Sequence, residues 1–457
     1  MAMTDDDRAA LTKLESQWRK NRRLYNRLDA HYEGVQRLDR IGIAVPEELS
    51  MFKAAINVPR VAVDEVVRRQ ALRGFQRSGK VGIDKGLQEA WDANNLTSQS
   101  ILCHLDTRLY GRGFIGVSTN PDEPSMPRIT VESPEGFAVD VDPLKRQIRA
   151  ALRRYTDGVT QMATLYMPDI TRWLARDGGR WVDVADPDEH KLGRVPLVML
   201  LNRARTGRFT GVSEMADVLE KTEAIARIIS NMQVTGEALA WPKRWAAGVA
   251  KGDFVDAKTG KPLATWDAYM TAIFATGNKD AKFGEYAAAD LANFHKAVDA
   301  LLSWCALELG LPLRFLGQES VNPTAEGAIR ADEARLNKNV ELKNAFDGDS
   351  WAWTMGLYER FRLGKFGKSS ARIRALWFDP ATPTISQRAD AMLKLFQAGI
   401  LSREGTWDEM GWDEARKDRE RAYFAAAADD PLLQMARDLA GAGVTAGASS
   451  GTAAPGN

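Results

Sequence analysis

Two glycine-rich strings are the residues with the strongest claim to chemistry. GRGFIG at Gly111–Gly116 has the GxGxxG spacing of a dinucleotide site. That chemistry needs a strand before the string and a helix after it, so that the helix N-terminus meets a pyrophosphate. The local pattern runs helix, turn, strand, and this order predicts a helix C-cap followed by a glycine-tolerant turn. LGKFGKSS at Leu363–Ser370 resembles a phosphate-binding loop, but only two residues separate Gly364 from Gly367 where four must precede the Gly-Lys pair. Such a loop is too short to wrap phosphates with backbone N–H groups, and a basic turn is expected.

The remaining candidates are weaker. His31, His104, His190 and His295 are scattered and none has a partner at metal-ligand spacing. Cys103 and Cys305 lie far apart without a CxxC partner, which predicts two buried thiols rather than a disulfide or zinc framework. Asp140 and Asp142 form an acidic pair, but an Asp before Pro143 is a turn signal. The Asn95-Leu96-Thr97 sequon carries no weight without a secretory context. The thirteen tryptophans are not interleaved with basic clusters, which favours packing and subunit interfaces over base stacking. No catalytic group, metal or cofactor is expected.

The elements that position these residues follow from periodicity. Leu11, Leu14, Trp18, Tyr25, Leu28 and Tyr32 mark a helix that Gly34 stops. Pro46 and Pro59 each begin a further helix, and helical character continues through Leu87, Trp91, Leu96, Ile101, Leu105 and Leu109. From Gly111 short strand-like runs alternate with Gly, Pro and Asp: 114–118, 128–132, 138–141, 147–155, 162–167, 171–175 and 181–184. A mostly antiparallel sheet region is expected there. Met215, Val218, Leu219, Thr222, Ile225, Ile229 and Met232 mark one long helix, and Leu291, Phe294, Val298, Leu301, Leu302, Cys305 and Leu309 a second. A Gly- and Trp-bearing insertion lies between them. Gly310-Leu311-Pro312 breaks the second helix. Asn322-Pro323 opens a long charged one reaching about Leu363, with a bend expected at Gly348 and Gly356. A strand at 372–378 and a helical unit at 386–427 follow. The tail AGAGVTAGASSGTAAPGN is small and polar and is expected to be disordered.

Composition narrows the function classes. A 457-residue chain with 44% hydrophobic and 27% charged residues is an ordinary globular protein of roughly three domains. The net charge of +1 disfavours a tight nucleic-acid binder, which needs a basic surplus to displace counterions. The N-terminus lacks a signal-peptide core, and the longest apolar run, Val195–Leu201, is far short of a membrane span. A chain made and used in the cytoplasm, or in a particle assembled there, is expected.

A series of strings in order then resembles one family. LYNRLDAHYEG, INVPRVAVDEVVRRQALRGF and LQEAWDANNLTSQSILCHLDTRLYGRGFIGV, then LGRVPLVMLLNR with GVSEMADVLEKTEAIARI, are similar to successive segments of tailed-bacteriophage portal proteins, especially those of siphophages infecting actinobacteria. EYAAADLANFHKAVDALLSWCALELGLPLRFLG resembles a returning stem helix and tunnel loop. NPTAEGAIRADEARLNKNVELKNAFDG resembles the helix behind that loop, and ISQRADAMLKLFQAGILSREGTWDEMGW a crown unit. The resemblance covers about Tyr25 to Trp412, and departs from the family in having Thr324-Ala325-Glu326 where a Ser-rich stretch is common.

The resemblance implies an α+β portal fold and a homo-oligomeric ring, a dodecamer, around a channel for packaging and ejecting double-stranded DNA. It implies a wing at 1–212 with 364–384 returning to it, stem helices at 213–239 and 287–310, a clip at 240–286, a tunnel loop at 311–321, a long kinked helix at 322–363 and a crown at 385–430, before the tail at 431–457. The residues it places at the channel are Leu311, Pro312, Leu313, Arg314, Phe315, Leu316, Gly317 and Gln318, with Arg314 and Gln318 touching DNA; the alternative for this segment is a plain interhelical loop whose Leu313, Phe315 and Leu316 plug the subunit core. Implied partners are the terminase large subunit, a head-tail adaptor, and the major capsid and scaffold proteins, with no membrane. Near-neutral charge suits a channel, since a dense basic lining would brake sliding DNA. Two rivals stand beside it: a nucleotide-dependent packaging motor, resting on LGKFGKSS, and another minor capsid protein.

Overall fold

The computed structural model describes residues 3–36, 56–80, 82–239, 244–248, 279–285, 291–317, 326–365, 370–381, 385–412 and 414–429. They fall into two compact units, Met1–Ala381 and Thr382–Asn457.

The first unit begins with helix α1 (Asp5–Glu33). Thr4 and Asp7 form a reciprocal capping box at its start, and Gly34 closes it at φ +70°. Asn57 caps α2 (Val58–Val67), with Pro59 in its first turn. Where helix was expected to continue, the chain forms strand β1 (Leu72–Arg77), which pairs antiparallel with β12 (Ile373–Trp377). Only that distant partner selects strand here, because a lone hairpin half has no periodic signal strong enough to be read locally. The expected helical stretch is also two helices, α3 (Lys85–Ala93) and α4 (Leu96–Tyr110), separated by Asn95 at φ +52°.

The strand-rich region forms two sheets. β2 (Arg112–Ser118) lies between β3 (Arg128–Glu132) and β9 (Leu197–Leu201), antiparallel to both. β4 (Phe137–Asp142), β5 (Gln147–Asp157), β6 (Thr160–Tyr166), β7 (Thr171–Asp177) and β8 (Arg180–Asp183) form an antiparallel meander. Every run read as a strand between 114 and 184 is one. Two long helices follow, α5 (Leu219–Leu239) and α6 (Ala292–Leu309), packed on each other. Of the insertion between them, the described part is an antiparallel pair, β10 (Arg244–Ala247) and β11 (Lys282–Glu285).

Helix α7 (Glu326–Leu363) is the longest element, with 38 residues. Asn322-Pro323, expected to open it, lies outside the described residues. Its buried positions change character along its length. Leu336 and Val340 join a core with α1, α2, α4, α5 and α6. Lys343, Asn344 and Asp347 are buried but polar. Trp351, Met355, Leu357 and Tyr358 enter a second core with β1, α3, α4, β2 and β9. One helix therefore threads two apolar cores and the polar layer between them. Gly348 and Gly356 serve close approach: a Cβ on the first would sit 3.0 Å from Trp377 Nε1, and on the second 3.2 Å from the Ser370 carbonyl.

The second unit contains α8 (Ile385–Gln397), α9 (Arg403–Glu409) and α10 (Glu414–Asp429). Trp407 stacks between Trp412 and Phe424, with centroids at 5.7 and 5.9 Å. The expected disordered tail lies outside the described residues.

Candidate functional site

The segment after α6 is built by two glycines and a proline. Gly310 ends the helix at φ +67°, and its N–H and that of Leu311 both reach the Ala306 carbonyl. Pro312 then starts a single 3₁₀ turn, Leu313–Leu316, closed by Gly317 at φ +79°. The segment leaves α-helical geometry, as the break residues require, but it does not become an open loop there. Leu311 is buried, and Phe315 and Leu316 pack against the core shared by α1, α2, α5, α6 and α7. Leu313 is exposed. Gln318 lies outside the described residues.

Arg314 is held by carboxylates. Its Nη1 is 2.8 Å from Asp332 Oδ2, and its Nη2 bonds Glu333 Oε1. Glu333 also faces Arg69 at 3.7 Å, and both Arg69 and Arg314 lie over the Phe315 ring, at 5.4 and 5.0 Å. The turn is thus clamped between the end of α2 and the first turns of α7. Arg69, Asp332 and Glu333 were not legible in the sequence, because charged residues on a helix normally read as a solvated face.

Behind this clamp lies the polar layer. Arg108, 1% exposed, donates from Nε to Gln70 Oε1 (3.0 Å) and from Nη1 to Asn202 Oδ1 (2.6 Å), and its Nη2 bonds Asp347. Gln70 in turn donates to Asn344 and Asp347 at 3.1 and 3.0 Å. Lys343 Nζ reaches Glu214 Oε2 at 2.6 Å and Asn202 at 2.9 Å. Burial opposes the charge on Glu214, but the Lys343 ammonium and the Asn202 amide outweigh it and hold the carboxyl below its usual range. Burial draws Lys343 below the usual lysine range. The layer joins α4, the end of β9, the start of the α5 segment and α7 through charges and amides paired with one another, as buried charges require, with Asp347 Oδ1 the one atom of these ion pairs that is buried without a hydrogen-bond partner among the described residues.

The motifs that looked chemical have structural duties. Gly111 caps α4 at φ +89° and β2 starts at the next residue, the order the sequence implied. A Cβ on Gly113 would lie 2.3 Å from Thr107 Oγ1, so that glycine lets β2 cross α4. Asp142 accepts the N–H groups of Leu144 and Lys145, the turn role expected of it, and Asp140 pairs with Lys13 and Arg149. Cys103 and Cys305 are buried and unpaired. His104 accepts a hydrogen bond from Trp351 Nε1 at 3.0 Å, and His31 faces Glu223. Gly364 takes φ +70°, while Lys368 lies outside the described residues.

Fold and site together define a structural scaffold, in which the buried charges of the central layer are committed to one another. Residues 11–428 match the family described as phage portal protein, SPP1 Gp6-like. The portal protein of Mycobacterium phage D29 is 36% identical over 410 residues, spanning 86% of this chain and 84% of that one. That of Mycobacterium phage L5 is 34% identical over 412 residues, 86% and 83% of the two chains. The chain belongs to the phage portal protein family, a family of structural proteins of the virion. Among solved structures, a chain from the neck of a native GTA particle computed with C12 symmetry aligns at 14% identity and TM-score 0.45, covering 78% of this chain and 90% of that one.

Proposed function

We propose that the chain closes into a ring of twelve subunits at one capsid vertex, with an axial channel through which double-stranded DNA is packaged and ejected. The ring docks the terminase large subunit during packaging and a head-tail adaptor afterwards, and meets the major capsid and scaffold proteins at its rim. It forms in the host cytoplasm and hydrolyses no nucleotide itself. The wing is 1–212 with 364–384, the stem 213–239 and 287–310, the clip 240–286, the tunnel loop 311–321, the long helix 322–363 and the crown 385–430.

The observation that carries this reading, beyond family membership, is the outer face of α6. Val298, Leu301, Leu302, Cys305 and Leu309 face the subunit's own helices. Ala297, Ala300, Trp304 and Leu307 form an opposite stripe, with Trp304 56% and Leu307 65% exposed. An apolar stripe on a helix already packed on its other side needs a neighbour. A neighbour meeting it through a different surface gives a heterologous contact that closes into a ring.

Arg314 serves DNA by exchange. Asp332 and Glu333 hold it, so a passing phosphate competes with two carboxylates and each contact is weak and releasable. Trp304→Asp should abolish rings while leaving a folded subunit, as seen by electron microscopy and sedimentation. Rings that persist in Trp304→Asp would remove the α6 stripe from the interface, and a wild-type chain that stays monomeric at all concentrations would overturn the ring.

A further inference from the structure

A cleft of about 670 Å³ lies between α1, β2, β4 and the turn at 207–210 that leads from β9 toward α5. Lys13, Lys20, Arg112 and Arg208 line it. Asp140 is the carboxylate among the lining residues, and Lys13 and Arg149 already engage it at 2.9 Å each. Arg112 is the informative member. It is 2% exposed, and its hydrogen bond is from Nε to the Tyr25 hydroxyl at 2.7 Å. Among the described residues no carboxylate pairs with it, nor with Lys20 or Arg208. Tyr25 and Phe114 place their rings 5.7 and 5.6 Å from its guanidinium, but a ring face offsets only part of a buried charge. Burial keeps the Tyr25 hydroxyl a neutral phenol, so it supplies no counter-charge.

We propose that this cleft is a phosphate-binding site, in which a phosphate group bonds the terminal nitrogens of Arg112 with Lys20 and Arg208 around it. A buried guanidinium without an anion is costly, and a guanidinium fork matches phosphate oxygens in pairs. A lone carboxylate would neutralise one of three uncommitted cations, whereas a phosphate monoester brings up to two charges and more acceptor oxygens. The volume is that of a small-molecule site, and Phe209 with Val139 and Val141 gives it an apolar wall beside the charged floor. The phosphate belongs either to a free nucleotide, whose monoester carries up to two charges, or to a DNA backbone, whose diesters carry one charge each, so that adjacent phosphates supply the rest.

Occupancy has a structural consequence. It ties α1 to the turn at 207–210, and that turn runs directly into Gly211, whose position against the Gly111 carbonyl leaves no room for a Cβ. The Glu214 N–H, three residues on, bonds the Arg108 carbonyl at 2.8 Å. A phosphate in the cleft therefore stiffens the segment leading into α5.

The test uses the full-length chain at constant ionic strength, with inorganic phosphate, dAMP and a short DNA duplex as probes in titration calorimetry. Lys20 and Arg208 are exposed, so Lys20→Ala and Arg208→Ala keep the fold, and each should weaken phosphate and dAMP binding about tenfold. Arg112→Gln should abolish it, with circular dichroism to check folding. Binding of dAMP without competition from duplex identifies a free nucleotide, and competition by duplex identifies the DNA backbone; both uphold the site. The proposal is overturned if neither phosphate nor dAMP binds at millimolar concentration, if Lys20→Ala and Arg208→Ala bind as the wild type does, or if a glutamate-rich peptide binds and phosphate does not.

Discussion

Arg108 and Asp347 form an ion pair in which each side chain is 1% exposed, although 239 positions separate them in the chain. The pair joins α4 to the middle of α7 at the level where that helix passes from one apolar core to the other. Desolvating two charges cancels much of their attraction, so the pair adds little net stability. Its effect is to fix register, because a shift of α7 by one residue would part the two buried charges and leave Arg108 with only the neutral partners Gln70 and Asn202.

Removing one partner should therefore be far worse than removing both. Asp347→Ala should lower unfolding free energy by about 3–5 kcal/mol, because Arg108 is left without its counter-charge. The double variant Arg108→Met with Asp347→Leu should recover a large part of that loss. Urea denaturation of the two variants beside the wild type measures both. An Asp347→Ala variant as stable as the wild type would show that the pair has no such role.

His104 makes a pH prediction with a definite sign. Burial pushes it from 6.5 down to about 4, and its Nε2 accepts the Trp351 indole N–H, so the folded ring is neutral. The unfolded chain binds the proton more readily. Its contribution is fully present above pH 6.5 and is lost as pH falls toward 4, about 3 kcal/mol in all. Asp106 acts oppositely: burial pushes it up to about 6, so its contribution is present below 3.8 and is lost as pH rises through 6. The two slopes offset in the wild type. His104→Gln, which keeps an acceptor for Trp351, removes the His104 slope while the lowered carboxyls Glu214, Asp84 and Glu359 keep theirs, so the variant should gain less stability than the wild type as pH rises from 4 to 6. Denaturant midpoints at pH 4, 5, 6 and 7 give the comparison, and superimposable profiles for variant and wild type would exclude it.

Gly211 takes φ +64°, and a Cβ there would lie 1.8 Å from the Gly111 carbonyl oxygen. Gly211→Ala must both strain the backbone and push β2 away from the segment leading to α5. The expected cost exceeds about 2 kcal/mol. Gly207→Ala, at φ +80° with open space around its Cβ position, carries the backbone strain alone and should cost about 1 kcal/mol. Thermal unfolding of the pair separates steric clash from strain, and equal losses would reject the close-approach argument.

Arg314 sits between Asp332 and Glu333. If those carboxylates keep its grip on phosphate weak, Asp332→Asn with Glu333→Gln should make filled heads retain DNA more strongly, with a steeper salt dependence. Arg314→Ala with Gln318→Ala should reduce retention at low salt. Pressure-release assays of filled heads at two salt concentrations read both, and retention unchanged in both variants would take the loop off the DNA path.

Periodicity and punctuation alone decided much of this protein. The 3.6-residue spacing of Leu11 through Tyr32, the alternation between 114 and 184, and breaks at Gly34, Gly111 and Gly310 are local signals, and each places an element where the structure has one. The Gly310-Leu311-Pro312 break marked the turn that holds Arg314, and the helix-turn-strand order around Gly111 removed a dinucleotide reading. Tertiary structure decided the rest. β1 is a strand because β12, some 300 positions away, pairs with it. Phe315 and Leu316 turn inward because α2 and α7 offer a core and a pair of carboxylates beneath them. Arg108, Lys343 and Asp347 read as surface charges in sequence, since a charge on a helix is usually solvated. Folding buries them because one long helix must cross from one apolar core to another, and the charges at that crossing find their partners only in residues that the fold brings from four separate segments.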